Sequence, residues 1–208
     1  MTSKRLRPAV VAVAPAVLFA GFAYHPYVAR PTDETALAEA AASDTTRWGL
    51  SHLAIGVGYA LTVLAFIAIR SYLREAGEDR WSALALPPMV LACAMFPILT
   101  GMEFAVLAAA ETGGDVAGAQ TELTPWFVPI LLTAAISSAL GAAGFAQGIA
   151  ASKVLGKKTT WLVTGGLLVM VVSRFVPLGA AQVVVGVATA VALWPLAYTM
   201  WKKPLSPG

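Results

Sequence analysis

The sequence predicts an all-α protein: a polytopic membrane helical bundle of six transmembrane helices with both termini in the cytoplasm. Two compositional facts and one pattern of charge lead there. Hydrophobic residues make up 58% of the 208-residue chain and charged residues 12%, about half the charged fraction of an ordinary soluble domain. The apolar residues gather into six stretches of helix-spanning length, at about 8–24, 48–69, 82–110, 126–152, 160–176 and 179–201. Of the 14 Lys and Arg residues, 11 lie on one side of the implied zigzag: Lys4, Arg5, Arg7, Arg70, Arg74, Arg80, Lys153, Lys157, Lys158, Lys202 and Lys203. Arg30, Arg47 and Arg174 lie on the other. The positive-inside rule then orients the chain N-in and C-in, in an inner membrane.

The first span follows the basic leader Lys4-Arg5-Leu6-Arg7. A basic start and a short apolar run also describe a signal peptide, with Gly21-Phe22-Ala23 as a passable cleavage site. A retained anchor is favoured because it keeps the parity of six spans. The outer segment 25–46 is acidic, and its Ala-rich portion 33–42 predicts a short surface helix opening near Thr32 or Asp33. The second span covers 48–69, and the charged cytoplasmic loop 70–80 closes at Trp81, an interfacial anchor.

The third span is longer than a straight crossing needs. Pro87-Pro88 is placed at its entry, and Pro97 is expected to kink it and free a carbonyl one turn earlier. The segment 111–125 contains Gly113-Gly114 and reads as a flexible turn. In the fourth span Ser137, Gly141, Gly144 and Gly148 form a stripe of small residues, a surface for close helix approach in lipid. Its partner is another helix of the chain or, alternatively, a second copy. The short turn Pro177-Leu178-Gly179 makes the last two spans a tight antiparallel hairpin. The whole length, 1–208, is one membrane domain.

Four polar residues stand where lipid is expected. From the rise of about 1.5 Å per residue, His52 lies roughly 6 Å below Trp48, and Glu103 roughly 10–12 Å below Glu111. Arg174 and Gln182 fall within a turn of the same outer surface. Buried ionisable groups in a membrane face the bundle or a wet cavity. Glu103, His52, Arg174 and Gln182 are therefore the candidate ligand-binding residues, expected to converge within about 4–6 Å, close enough to perturb one another's protonation. The bland alternatives stay open: Glu103 locking onto Arg174 or His52, and Arg174 snorkelling to the surface.

Other chemistry finds little footing. The basic residues flank spans and sit against anionic headgroups, so no nucleic-acid partner is expected. Cys93 stands alone, which excludes a disulfide framework and a thiolate metal set. His25 and His52 are the only histidines, and no helix carries a second ligand at i+3 or i+4, so neither metal nor haem nor another cofactor is expected. Gly56-Val57-Gly58 lacks the third glycine of a dinucleotide site.

The order of elements resembles that of small six-helix bacterial integral membrane proteins of unknown function. The residues behind the resemblance are the basic N-terminus, the Ala-rich acidic helix of 32–43, the entry Arg47-Trp48-Gly49-Leu50, and 144–160, where an apolar span closes in a basic turn. The match is one of architecture and implies a fold without an activity. Three functions remain open. The favoured one is a non-enzymatic protein binding an amphiphile or small solute in an outer-leaflet polar pocket. The second is a membrane-embedded enzyme using Glu103 and His52 as acid and base on a lipid-like substrate. The third is an accessory subunit whose small-residue stripe docks a partner membrane subunit.

Overall fold

The structure, a computed structural model, describes residues 3–204. Seven helices account for nearly all of it: α1 Ser3–Tyr24, α2 Glu34–Ser43, α3 Thr45–Glu75, α4 Arg80–Thr112, α5 Val116–Ser152, α6 Lys157–Ser173 and α7 Gly179–Lys202, with no strand among the described residues. Five of them, α1, α3, α4, α5 and α7, are long and apolar enough to cross a membrane. α6 is shorter, at 17 residues.

The helix starts follow from local carboxylates. Asp33 accepts a hydrogen bond from the Ala36 amide at 3.0 Å, Asp44 from Arg47 at 2.9 Å and Asp115 from Gly118 at 2.8 Å. Each satisfies an amide that the first helical turn leaves without a partner. At α4 the buried Glu78 takes this role, accepting from the Trp81 amide at 2.6 Å and the Ser82 amide at 3.3 Å. α4 ends at Gly113, whose φ of 71° is left-handed, and the Gly114 amide returns to the Ala109 carbonyl at 2.8 Å.

Two expectations about boundaries need correcting. The Pro87-Pro88 pair lies inside α4 and not at its entry, because the Glu78 and Asp79 region nucleates the helix about two turns earlier. The segment 111–125 is no flexible turn either: the turn is confined to 113–115, and α5 then runs 37 residues through Pro125 and Pro129. That is about 55 Å of helix, well beyond a hydrocarbon core of about 30 Å. The capping bond at Asp115 and the good helix formers around Gln120 carry it outward before the apolar stretch begins.

The six long helices close into a ring in the order α1, α3, α4, α5, α6, α7, each packed on the next and α7 back on α1. Neighbours run antiparallel, which the glycine contacts make plain. A Cβ on Gly58 of α3 would lie 2.8 Å from the Leu18 Cα of α1, and one on Gly21 would lie 2.9 Å from the Ile55 amide nitrogen. Phe66 and Phe145 meet across the interior at 4.7 Å between ring centres. Large apolar residues such as Leu53, Leu64, Leu140 and Leu168 face outward, as a lipid-facing surface requires. The charged turns around Arg70–Arg80 and Lys153–Lys158 share one end of the ring. α2 lies at the other end, over α3, α4 and α5.

The small-residue stripe packs within the chain. A Cβ on Gly141 would fall 2.8–2.9 Å from Met89, one on Gly144 would fall 2.7 Å from the Ala85 Cβ, and one on Gly148 would fall 2.8 Å from a Glu78 oxygen. The most extensive helix contact, α4 with α5, is built on this seam.

Candidate functional site

The four residues expected to converge do not share one place. His52 faces α1: its Nδ1 donates to the Trp48 carbonyl at 2.8 Å, and its ring lies 4.9 Å from that of His25 and 4.7 Å from Trp48. Trp48 is 1% exposed, so it is a core residue and not an interfacial one. His25 stands just past the end of α1, its Nδ1 donating to the Pro26 carbonyl at 2.7 Å. A carbonyl only accepts, so both rings carry their proton on Nδ1 and leave Nε2 free. Burial pushes the His25 imidazole below its ordinary range; the bond to Pro26 opposes this, and the Arg47 charge adds to it.

Arg174 turns inward and does not snorkel. α6 ends at Ser173, and the guanidinium donates to the Tyr59 hydroxyl at 2.7 Å and lies 3.9 Å from the Phe96 ring centre. A phenol and an aromatic face, from α3 and α4, hold the charge, and no carboxylate among the described residues pairs with it. The void beside it, lined also by Cys93, Ser138 and Thr189, measures about 10 Å³, room for one water at most.

Glu103 joins neither His52 nor Arg174. Phe96 is seven residues before Glu103 on α4, so the arginine stands about 10 Å away along the helix. The ion pairs among the described residues are Arg7–Glu75 at 2.6 Å and Arg70–Asp79 at 2.9 Å. Glu103 instead neighbours Gln120 at the start of α5. One oxygen of each, and the Trp48 indole N–H, are buried without a hydrogen-bond partner. They border the small second core of Ala41, Trp48 and Val106, where α2 covers α3, α4 and α5. Glu34 of α2 ties this lid to α5 by accepting from the Thr121 and Thr124 hydroxyls at 2.7 and 3.0 Å.

Gln182 lines a cavity of about 130 Å³ between the end of α1, the loop after it, α2 and the first turns of α3 and α7. Polar groups reach it from His25, Arg47, Tyr27 and Gln182, while Phe22, Leu37 and Val183 supply apolar wall. Arg47 Nε donates to the Tyr24 carbonyl at 2.6 Å and Nη2 to the His25 carbonyl at 3.4 Å, stapling the loop to α3. On the far wall the Gly179 amide donates to the Ala29 carbonyl at 3.0 Å, and a Cβ on Gly179 would collide with the Val28 carbonyl oxygen. Gln120 and Tyr59 carry no mark in the sequence beyond their residue type, and Arg47 stands out as one of three basic residues on the outer side. His25 is marked: it is one of only two histidines and falls at the same outer level as the other.

The fold and the site define an all-α bundle with several helices apolar enough to cross a membrane and a preformed cavity at the end bearing α2. The chain matches no family model, no curated protein and no solved structure.

Proposed function

We propose that the chain is an inner-membrane protein that crosses the bilayer six times, with both termini cytoplasmic, and binds an amphiphile or small solute from the outer side. The charge partition supports the orientation, since the basic turns collect at one end of the ring and the acidic α2 region at the other. α6 serves as the sixth span; its 17 residues extend about 26 Å, and the segment 174–176 adds to that. α2 is then an outer-surface helix, and the architecture is that of the small six-helix bacterial membrane proteins the sequence resembles.

The observation that carries the binding function is the 130 Å³ cavity, with few polar groups set in an apolar wall, the usual make-up of a small-molecule site. It moves the proposed site from the four-residue cluster to Gln182, His25 and Arg47, with His52 behind His25. Acid–base catalysis by Glu103 and His52 finds no hydrogen bond between them among the described residues; His52 is bonded to the Trp48 carbonyl instead. An accessory subunit docking on the Ser137–Gly148 stripe lacks a free seam, because α4 occupies it. Mass spectrometry of molecules that co-purify with the wild type and with Ala23→Phe, which fills the cavity, tests the proposal. A molecule retained by the wild type and lost from the variant is the expected result; identical profiles would refute the binding function.

A further inference from the structure

The lining of the outer cavity is unbalanced in charge. Arg47 is its single permanent charge, and none of the other lining residues is acidic. The guanidinium is bound by two backbone carbonyls and forms no ion pair among the described residues. Its nearest acid in sequence, Asp44, accepts from the Arg47 backbone amide at 2.9 Å and serves the helix start. A guanidinium with N–H groups to spare beside an apolar cavity recognises an oxyanion. Gln182 adds amide donors on the opposite wall, and Leu178, at the start of α7, supplies no side-chain cap.

The route into the cavity narrows the ligand further. The outer face around it is acidic, with Asp33, Glu34, Glu39 and Asp44 in the adjoining segment, which disfavours a free anion arriving from water. The other approach runs between α1 and α7, past Phe22, Ala23 and Val183, where Val183 is 37% exposed and faces lipid in the proposed topology. An anion that arrives this way brings an apolar tail.

We propose that the cavity takes the anionic head, carboxylate or phosphate, of a single-chain amphiphile, with Arg47 and Gln182 donating to the oxyanion and the tail leaving between α1 and α7 past Phe22 and Val183. This rests on the binding function above and names its ligand class.

The test uses the purified full chain in uncharged maltoside micelles and measures the binding of four probes: decanoate, decyl phosphate, decanol and inorganic phosphate. The two anionic amphiphiles are expected to bind ten- to a hundredfold more tightly than decanol, the range of one charge-assisted hydrogen-bond set. Arg47→Lys is expected to keep most of that preference and Arg47→Gln to abolish it. Arg47 also staples the loop, so Gln182→Leu provides a variant with the staple intact; it is expected to weaken the anions severalfold and leave decanol unchanged. Equal affinity for decanol and decanoate overturns the anionic head while the cavity reading stands. Inorganic phosphate binding as tightly as decyl phosphate overturns the amphiphile. No binding by any probe overturns this proposal together with the reading beneath it.

Discussion

Replacing Glu103 by Gln is expected to raise the stability of the protein, the opposite of what a buried ion pair would give. The side chain is 7% exposed, as is that of its neighbour Gln120, and one oxygen of each lacks a donor. A buried acceptor without a partner costs about 1–3 kcal/mol, and a hydrogen bond formed returns about 0.5–1.5 kcal/mol. The introduced amide would present an N–H₂ group where the carboxyl oxygen stood, a donor for the Gln120 oxygen. No ion pair is lost, because neither Arg174 nor His52 reaches Glu103. The net expectation is about 1 kcal/mol of stabilisation, or roughly 2–4 °C in the melting temperature of a chain of this size. Glu103→Leu deletes the polar partner of Gln120 and is expected to lower stability by about 1–3 kcal/mol. Thermal unfolding in one detergent, followed by intrinsic fluorescence or light scattering, separates the two variants. If Glu103→Gln melts as low as Glu103→Leu, the carboxylate has an ionic partner and its pairing with Gln120 is wrong.

Other perturbations test other parts of the molecule. Gly58→Ala places a methyl group against the Leu18 backbone, 2.8–2.9 Å away, which no rotamer relieves; α1 and α3 must part by roughly 1 Å, at about 1–3 kcal/mol, and an unchanged melting temperature would discredit that seam. Arg7→Gln strands the buried Glu75, and because Arg7 is 35% exposed the loss is expected to be about 1–2 kcal/mol, less than for a fully buried pair, and to shrink in high salt. His25, held below its ordinary range by burial, favours the fold while neutral; its contribution is present above the ordinary His pKa of about 6.5 and is lost as pH falls from there through the lowered value. The wild type is therefore expected to lose more stability than His25→Gln between pH 7 and pH 5, and parallel pH curves would remove this role. Reporter fusions after Gly77 and after Lys158 are expected to be cytoplasmic and one after Gly114 external; a reversal at any of them defeats the proposed topology.

The long apolar helices were readable in the sequence because hydropathy is a local property of the chain, and α2 announces itself through Asp33 and an Ala-rich run. The stripe from Ser137 to Gly148 was readable for the same reason, since spacing of three or four residues defines a helix face. Its partner surface, Met89 and Ala85, was not, because nothing local in α4 marks which neighbour it meets. Arg174 illustrates the gap best. Its sequence position one turn from the surface suggested snorkelling, yet its surroundings come from Tyr59 and Phe96, residues 115 and 78 positions away on other helices. Depth along a span follows from counting residues; rotation about the helix axis follows from packing. His52 and Glu103 were both placed below the same outer surface, and they face different neighbours. Gln120 was hidden for another reason: Pro125 and the glycine pair suggested a loop, whereas the Asp115 cap starts a helix that carries both prolines.

The joint between Gly179 and the Val28–Ala29 backbone bears on how such a protein can diverge. The far wall of the cavity is held by main chain against main chain, and a methyl group has no room there. Side chains such as Val183 line the cavity without taking part in that joint. Under the proposed binding function, exchanges among them would retune which molecule is accepted while the aperture keeps its width, whereas change at residue 179 would alter the aperture itself. In that proposal, variation in selectivity and constancy of shape fall to different atoms.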